Sequence, residues 1–274
     1  MTLPTTDFFE KTLRAAYEAL CALPTAALHL NGIFRFQGKD LDEASTFQLD
    51  DVTLTSRQAA QLLMVFDCSR VVEQEQHNIG LDDAPPGTYF TVINREVIGE
   101  GHKNRIGIYL EEGDGTSLHF GDADQVPLGE IDPPAAQPVE GQADMARAVH
   151  VDHFFLRRQA PDYLGTVTFA LCAMIAHRLG FTRISLIAGG GHGHNPEMIG
   201  YFFWPKLGFD APLEPEETAA RLEFAACISV QELLAIDRQW WYDNGTQRWM
   251  EFDLAAQSPA WTKLLDYLSE KELI

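Results

Sequence analysis

The stretch Leu164–Leu179 carries apolar side chains on nearly every side of a helix, among them Val167, Phe169, Leu171, Met174 and Ile175. Such a helix is stable in water when other elements enclose it all round, so a chain containing one must build layers about it. Leu164-Gly165 opens the helix, and Gly180 stands where a left-handed residue ends many helices. Both flanks read as strands. In Ala146–Leu156, Val149, Val151, His153 and Phe155 share one face, and Ala148, His150, Asp152 and Phe154 the other. Arg183–Ala188 reads as a buried strand, and three glycines follow it.

The rest of the chain arranges itself around this unit. Asp7–Leu23 reads as an amphipathic helix ended by Pro24, and Ala27–Phe36 as an extended segment interrupted by Asn31-Gly32. Ser56–Asp67 reads as a second helix. Tyr89–Ile93 and Arg105–Leu110 have the aromatic and β-branched bias of strands. Ser117–Phe120 reads as a short strand and Pro127–Gly141 as a Pro-rich, acidic surface loop. Glu197–Trp204 is a short helix stopped by Pro205. Ser229 begins a capping box ahead of Leu233 and Leu234, and Ser258-Pro259 opens a last helix. Trp240-Trp241-Tyr242 and Trp249–Leu254 read as a hairpin or loop packed on the core.

Charge narrows the partners. The chain has 40 Asp and Glu against 20 Lys and Arg, a net charge of -20. That field repels phosphate backbones and anionic lipid, so neither nucleic acid nor membrane is expected as a partner. Cationic small molecules or basic proteins suit it better, and solubility alone also accounts for it. Met1–Leu13 lacks the basic and apolar blocks of a signal peptide. The expected location is the cytoplasm, with free thiols at Cys21, Cys68, Cys172 and Cys227.

The order strand, charged loop, Gly-opened helix, strand, loop, helix, Leu-Gly-Phe over Val149–Asp210, with the phrases PDYLGT, HRLGFTRISLIA and YFFWPKLGF, resembles the GNAT superfamily of N-acyltransferases. The resemblance implies a mixed α/β (α+β) fold with a mixed, largely antiparallel sheet flanked by helices. Residues 86–212 would form that core, 1–85 an N-terminal helical section and 213–274 a C-terminal helical extension, all in one compact unit. It also implies acetyl-CoA or another acyl-CoA as cofactor and an amine of a small molecule or protein as acceptor. By resemblance, Phe155, Leu156 and Arg157 pair with the pantetheine arm. Arg158, Leu164, Gly165 and Thr166 lie near the diphosphate, with Asn195 as a further cofactor contact from the glycine-rich run.

Acyl transfer needs a base for the amine, dipoles for the carbonyl and an acid for the leaving thiolate. His153 or Asp152 is the candidate base, directly or through water; a histidine there also suits the core, satisfied by a carbonyl. Glu197 is a candidate for binding a cationic substrate, or a favourable charge at a helix start. Tyr201 is the candidate acid, or an aromatic packed beside Phe202 and Phe203. Trp204 stands where the family commonly has a tyrosine, and Thr166-Val167 follow Gly165 where it commonly has a second glycine. These departures define the alternative: an inactive GNAT-like module that binds a basic protein through its acidic surface. His192 and His194 alternate in the glycine run, but no third zinc ligand accompanies them, so no metal is expected; a substrate-gating loop is the functional reading there.

Overall fold

The computed structural model describes residues 6–49, 52–112, 145–195 and 197–274. The expected strand Ser117–Phe120 and loop Pro127–Gly141 lie outside them. A π-helical segment (Phe9–Leu13) runs into α1 (Arg14–Ala22), followed by α2 (Pro24–His29), β1 (Phe34–Phe36), β2 (Lys39–Leu41), β3 (Thr46–Leu49), β4 (Val52–Thr55), α3 (Ser56–Leu62) and β5 (Arg70–Gln76). Then come β6 (Gly87–Ile93), β7 (Asn104–Glu112), β8 (Met145–His153), α4 (Leu164–Arg178) and β9 (Arg183–Gly191). The chain closes with α5 (Gly200–Phe203), a 3-10 turn (Trp204–Leu207), α6 (Pro215–Ala219), α7 (Val230–Ile236), α8 (Arg238–Asn244), β10 (Thr246–Asp253) and α9 (Pro259–Glu270).

Among the described residues, eight strands form one sheet in the order β10-β9-β8-β7-β6-β5-β1-β2, while β3 and β4 pair separately. Neighbours in the large sheet are antiparallel except β8 with β9 and β1 with β5. The fold is therefore mixed α+β, with a mostly antiparallel central sheet flanked by helices. Helix α4 is buried along its length, Gly165 and Arg178 excepted, as its all-round apolar pattern requires. It packs against α1, α2 and α3. Phe169 on α4 meets Trp204, Phe209 and Phe252 at ring-centroid distances of 5.7, 5.1 and 5.4 Å.

Both terminal sections differ from the helical readings. The first contributes β1, β2 and β5 to the sheet, and the last contributes β10 along β9. Pro24 does not merely stop a helix: at the first position of α2 its fixed φ and missing N–H suit a new one, which takes Ala27–His29 from the expected extended segment, while its end, Phe34–Phe36, is β1. Trp240-Trp241-Tyr242 is helical because the Asp237 carboxylate caps α8, accepting the Trp240 N–H at 2.9 Å. Among the described residues no helix is long and apolar enough to cross a membrane.

Candidate functional site

Strands β8 and β9 pair over a short register, from Val149 opposite Ile184 to Val151 opposite Leu186. Each strand then stays with its outer neighbour, β8 with β7 at His153 opposite Arg105, β9 with β10 at Gly191 opposite Thr246. The parallel pair thus parts at its carboxyl end. Between the parted ends opens a cavity of about 700 Å³, within the range of small-molecule sites. Its floor is Val151 and Leu186, and its walls include Leu156, Phe203 and Trp204.

The first turn of α4 borders this cavity through Leu164, Gly165 and Thr166. A helix leaves its first N–H groups without intrahelical acceptors. Here the Leu164 N–H donates to the Pro161 carbonyl and the Val167 N–H to the Tyr163 carbonyl. Those of Gly165 and Thr166 remain as donors in the cavity wall, at the positive end of the helix dipole. A methyl on Gly165 would lie 3.3 Å from Leu156 Cδ1, so a larger side chain there would crowd the wall.

His153 lines the cavity and is half-buried. Its ring lies parallel to His102, centroids 5.7 Å apart, and His102 in turn stacks on Phe155 at 4.0 Å. His102 comes from the connection between β6 and β7, which no local signal marked. Asp152 also lines the cavity, but Arg105 holds one of its carboxylate oxygens at 2.7 Å. Arg105 is itself seated over the Tyr89 ring, 3.7 Å from its centroid. Asp152 is committed to that ion pair, and His153 lines the same cavity.

Five expectations need correction. The Tyr201 hydroxyl donates to the Tyr242 carbonyl at 2.7 Å and the residue does not line the cavity, because α5 turns it toward α8. Burial pushes the Tyr201 phenol above its ordinary range, with Tyr242 and Asp243 adding to the effect. The phenols that do border the cavity are Tyr163 and Tyr267, which lie far apart in sequence. The Phe155 N–H donates to Asn104 Oδ1 at 2.7 Å and the Arg157 N–H to the Val97 carbonyl at 2.9 Å, so these donors are taken by the flanking chain. Arg158 is exposed and outside the cavity lining. Helix α5 begins at Gly200, so Glu197 is an exposed turn residue at the cavity margin and not a helix start. Asn195 is also exposed and outside the cavity lining, and its Oδ1 accepts the Glu197 N–H at 3.0 Å.

Arg157 is drawn inward. It lines the cavity, donates from its guanidinium to the Arg95 carbonyl at 2.8 Å, and keeps its Nε buried without a partner. Only the first part of the glycine run belongs to a strand. Gly189–Gly191 complete β9, and His192 and His194 beyond them are exposed. Among the described residues no three His, Cys, Asp or Glu side chains are placed to hold a metal ion. Compared with known proteins, the chain matches no family model, no curated protein and no solved structure.

Proposed function

We propose that this protein is a GNAT-like enzyme that transfers an acyl group from acyl-CoA to an amine. The observation that carries the reading is the parting of β8 from β9 over a cavity bordered by the first turn of α4. Parted parallel strands expose backbone donors and acceptors to an amide-bearing arm, and free N–H groups at a helix start suit a diphosphate. The residues fit such a ligand: the cavity has room for an extended arm, and the Arg157 Nε is a buried donor still lacking an acceptor. Bound acyl-CoA would supply the thioester whose acyl carbon the amine attacks.

The chain's own part is to orient and to move protons. Leu156 lies between the two committed donors and makes no backbone hydrogen bond among the described residues, so its peptide is the one open to an arm. Gly165 and Thr166 hold negative charge at the helix start. His153 takes the proton that the amine loses as the C–N bond forms and the C–S bond breaks. Tyr163 and Tyr267 replace Tyr201 as candidates for returning a proton to the thiolate.

Titration calorimetry of the full chain with acetyl-CoA should show saturable binding below millimolar ligand. Thiol release in the presence of a panel of polyamines and basic peptides should fall about 100-fold or more in His153→Ala, with acetyl-CoA affinity changed less than about threefold. A folded protein that ignores millimolar acetyl-CoA would refute the enzyme reading. It would favour the second one, a module binding a basic partner, which the committed Phe155 and Arg157 N–H groups also support. That module should retain a partner whose binding weakens steeply with salt.

A further inference from the structure

A second cavity, about 430 Å³, lies among α5, the 3-10 turn after it, α7, α8 and α9. Helix α9 explains it. Trp261, Leu264 and Leu268 on one face enter the core. Lys263, Asp266, Tyr267, Glu270 and Lys271 fall at helical spacing on another face and line the cavity. Across from them stand Lys206 and Arg238, with Phe202 and Leu234 between. The wall is fixed in place, because Gln231 Nε2 on α7 donates to the Pro205 and Phe209 carbonyls at 2.6 and 2.8 Å.

The charge there runs against that of the molecule. In a chain with twice as many acidic as basic residues, four cations (Lys206, Arg238, Lys263, Lys271) face two carboxylates (Asp266, Glu270) around one cavity. Lys271 is paired with Glu270 at 2.9 Å, whereas Arg238 and Lys263 have no ion pair among the described residues. The Lys206 ammonium sits 3.9 Å from the Phe202 ring centroid, and burial, then the charges of Arg238 and Lys271, hold it below the ordinary lysine range. Like charges converging on a half-buried ammonium repel one another, and an anion between them relieves the repulsion. Several cations at once favour a phosphate dianion over a single carboxylate. The Phe202 and Tyr267 rings add flat surfaces for a ring-bearing body.

We infer that this cavity is a binding site for a nucleoside phosphate, with Lys206, Arg238 and Lys263 on the phosphate and the Phe202 and Tyr267 rings beside the base. The inference rests on the charges and rings of this cavity and stands apart from the acyl-transfer reading. The two sites touch, because Tyr267 lines both cavities. The ligand could therefore be a free nucleotide or the nucleotide end of a molecule whose arm lies in the first cavity, and competition separates these sources.

The test is calorimetry of the full chain with ADP, repeated with the double variant Arg238→Gln, Lys263→Gln. Both side chains are exposed and unpaired, so the variant should keep the wild-type melting curve. ADP should bind the wild type, more weakly as salt rises, and the variant should lose about tenfold or more in affinity. Absence of ADP binding at millimolar concentration, or equal binding by the double variant, would overturn the site. If ADP binds and acetyl-CoA does not, the site stands and the acyl-transfer reading falls. Acetyl-CoA binding that is unchanged in the double variant, with ADP ignored, means the reverse. Where both bind, mutual exclusion assigns the site to the nucleotide end of the longer ligand, and simultaneous binding assigns it to a free nucleotide.

Discussion

Gly190→Ala is expected to destabilise the protein by roughly 2–5 kcal/mol, the sum of a backbone penalty and an overpacking penalty. Gly190 adopts φ +99, a region that a side chain rarely occupies, and a Cβ built on it would lie 1.9 Å from the Met198 carbonyl oxygen. Backbone meets backbone there, since Gly190 and Ile199 form an antiparallel bridge. Neither side can rotate away as a long side chain would. The substitution must push the Met198–Ile199 segment outward, and that segment borders the large cavity. Ligand affinity at the cavity should fall along with stability. Gly193→Ala is the control. Its φ of +78 carries a similar backbone penalty, yet nothing lies within 4 Å of the added Cβ, so the loss should be about 1 kcal/mol. Urea unfolding of both variants measures the difference. Equal losses would mean that the close approach at Gly190 contributes nothing.

The same comparison shows what kind of information the sequence held. The apolar helix could be read almost to the residue, Leu164–Leu179 against the observed Leu164–Arg178, because its burial on every side leaves the pattern no other solution. Strand β8 is legible at its start but not at its end, Ala146–Leu156 against Met145–His153. Strand β5, Arg-Val-Val-Glu-Gln-Glu-Gln, carries little strand signal because much of its surface meets solvent and five of its seven side chains are polar; backbone pairing with β6 and β1 makes it a strand. Three glycines in a row normally signal a loop. Their actual reason is tertiary, the approach of two other backbone segments, which no local pattern reveals. The site shows the same division. His153, Gly165 and Thr166 border the cavity because β8 and α4 lead directly into it. Tyr267 comes from a helix about a hundred residues further on, and its α9 spacing marks only a polar face. A short helix such as α5 can present any face, and the Tyr242 carbonyl decides where Tyr201 points.

His150 gives the second large effect, a loss of stability in mild acid. It stands opposite Ser185 in the short parallel register just before the strands part. Its Nδ1 is hydrogen-bonded to Ser185 Oγ at 3.0 Å, its ring stacks on Trp249 at 4.9 Å, and 1% of its surface is exposed. Burial lowers its pKa from 6.5 to about 4, with Asp152 opposing the shift and Arg105 adding to it. Above pH 6.5 the ring is neutral in both folded and unfolded chains and adds no pH dependence. Between pH 6.5 and 4 the unfolded chain takes up the proton and the folded one does not, so stability falls as pH falls, by at most about 1.4 kcal/mol per pH unit. Below pH 4 both forms are charged and the loss stops, at about 3 kcal/mol in total. His150→Gln keeps a polar group toward Ser185 but cannot titrate. It should start less stable at pH 8 and then lose less between pH 6.5 and 4, so that the two urea-derived stability curves converge in acid. Carboxylates and the other histidines contribute alike to both proteins and cancel in the difference. Because the folded ring stays neutral throughout this window, ligand affinity at the neighbouring cavity should show no step attributable to His150 between pH 5 and 7. Parallel stability curves for wild type and variant would mean that the imidazole is not held neutral at the root of the cavity.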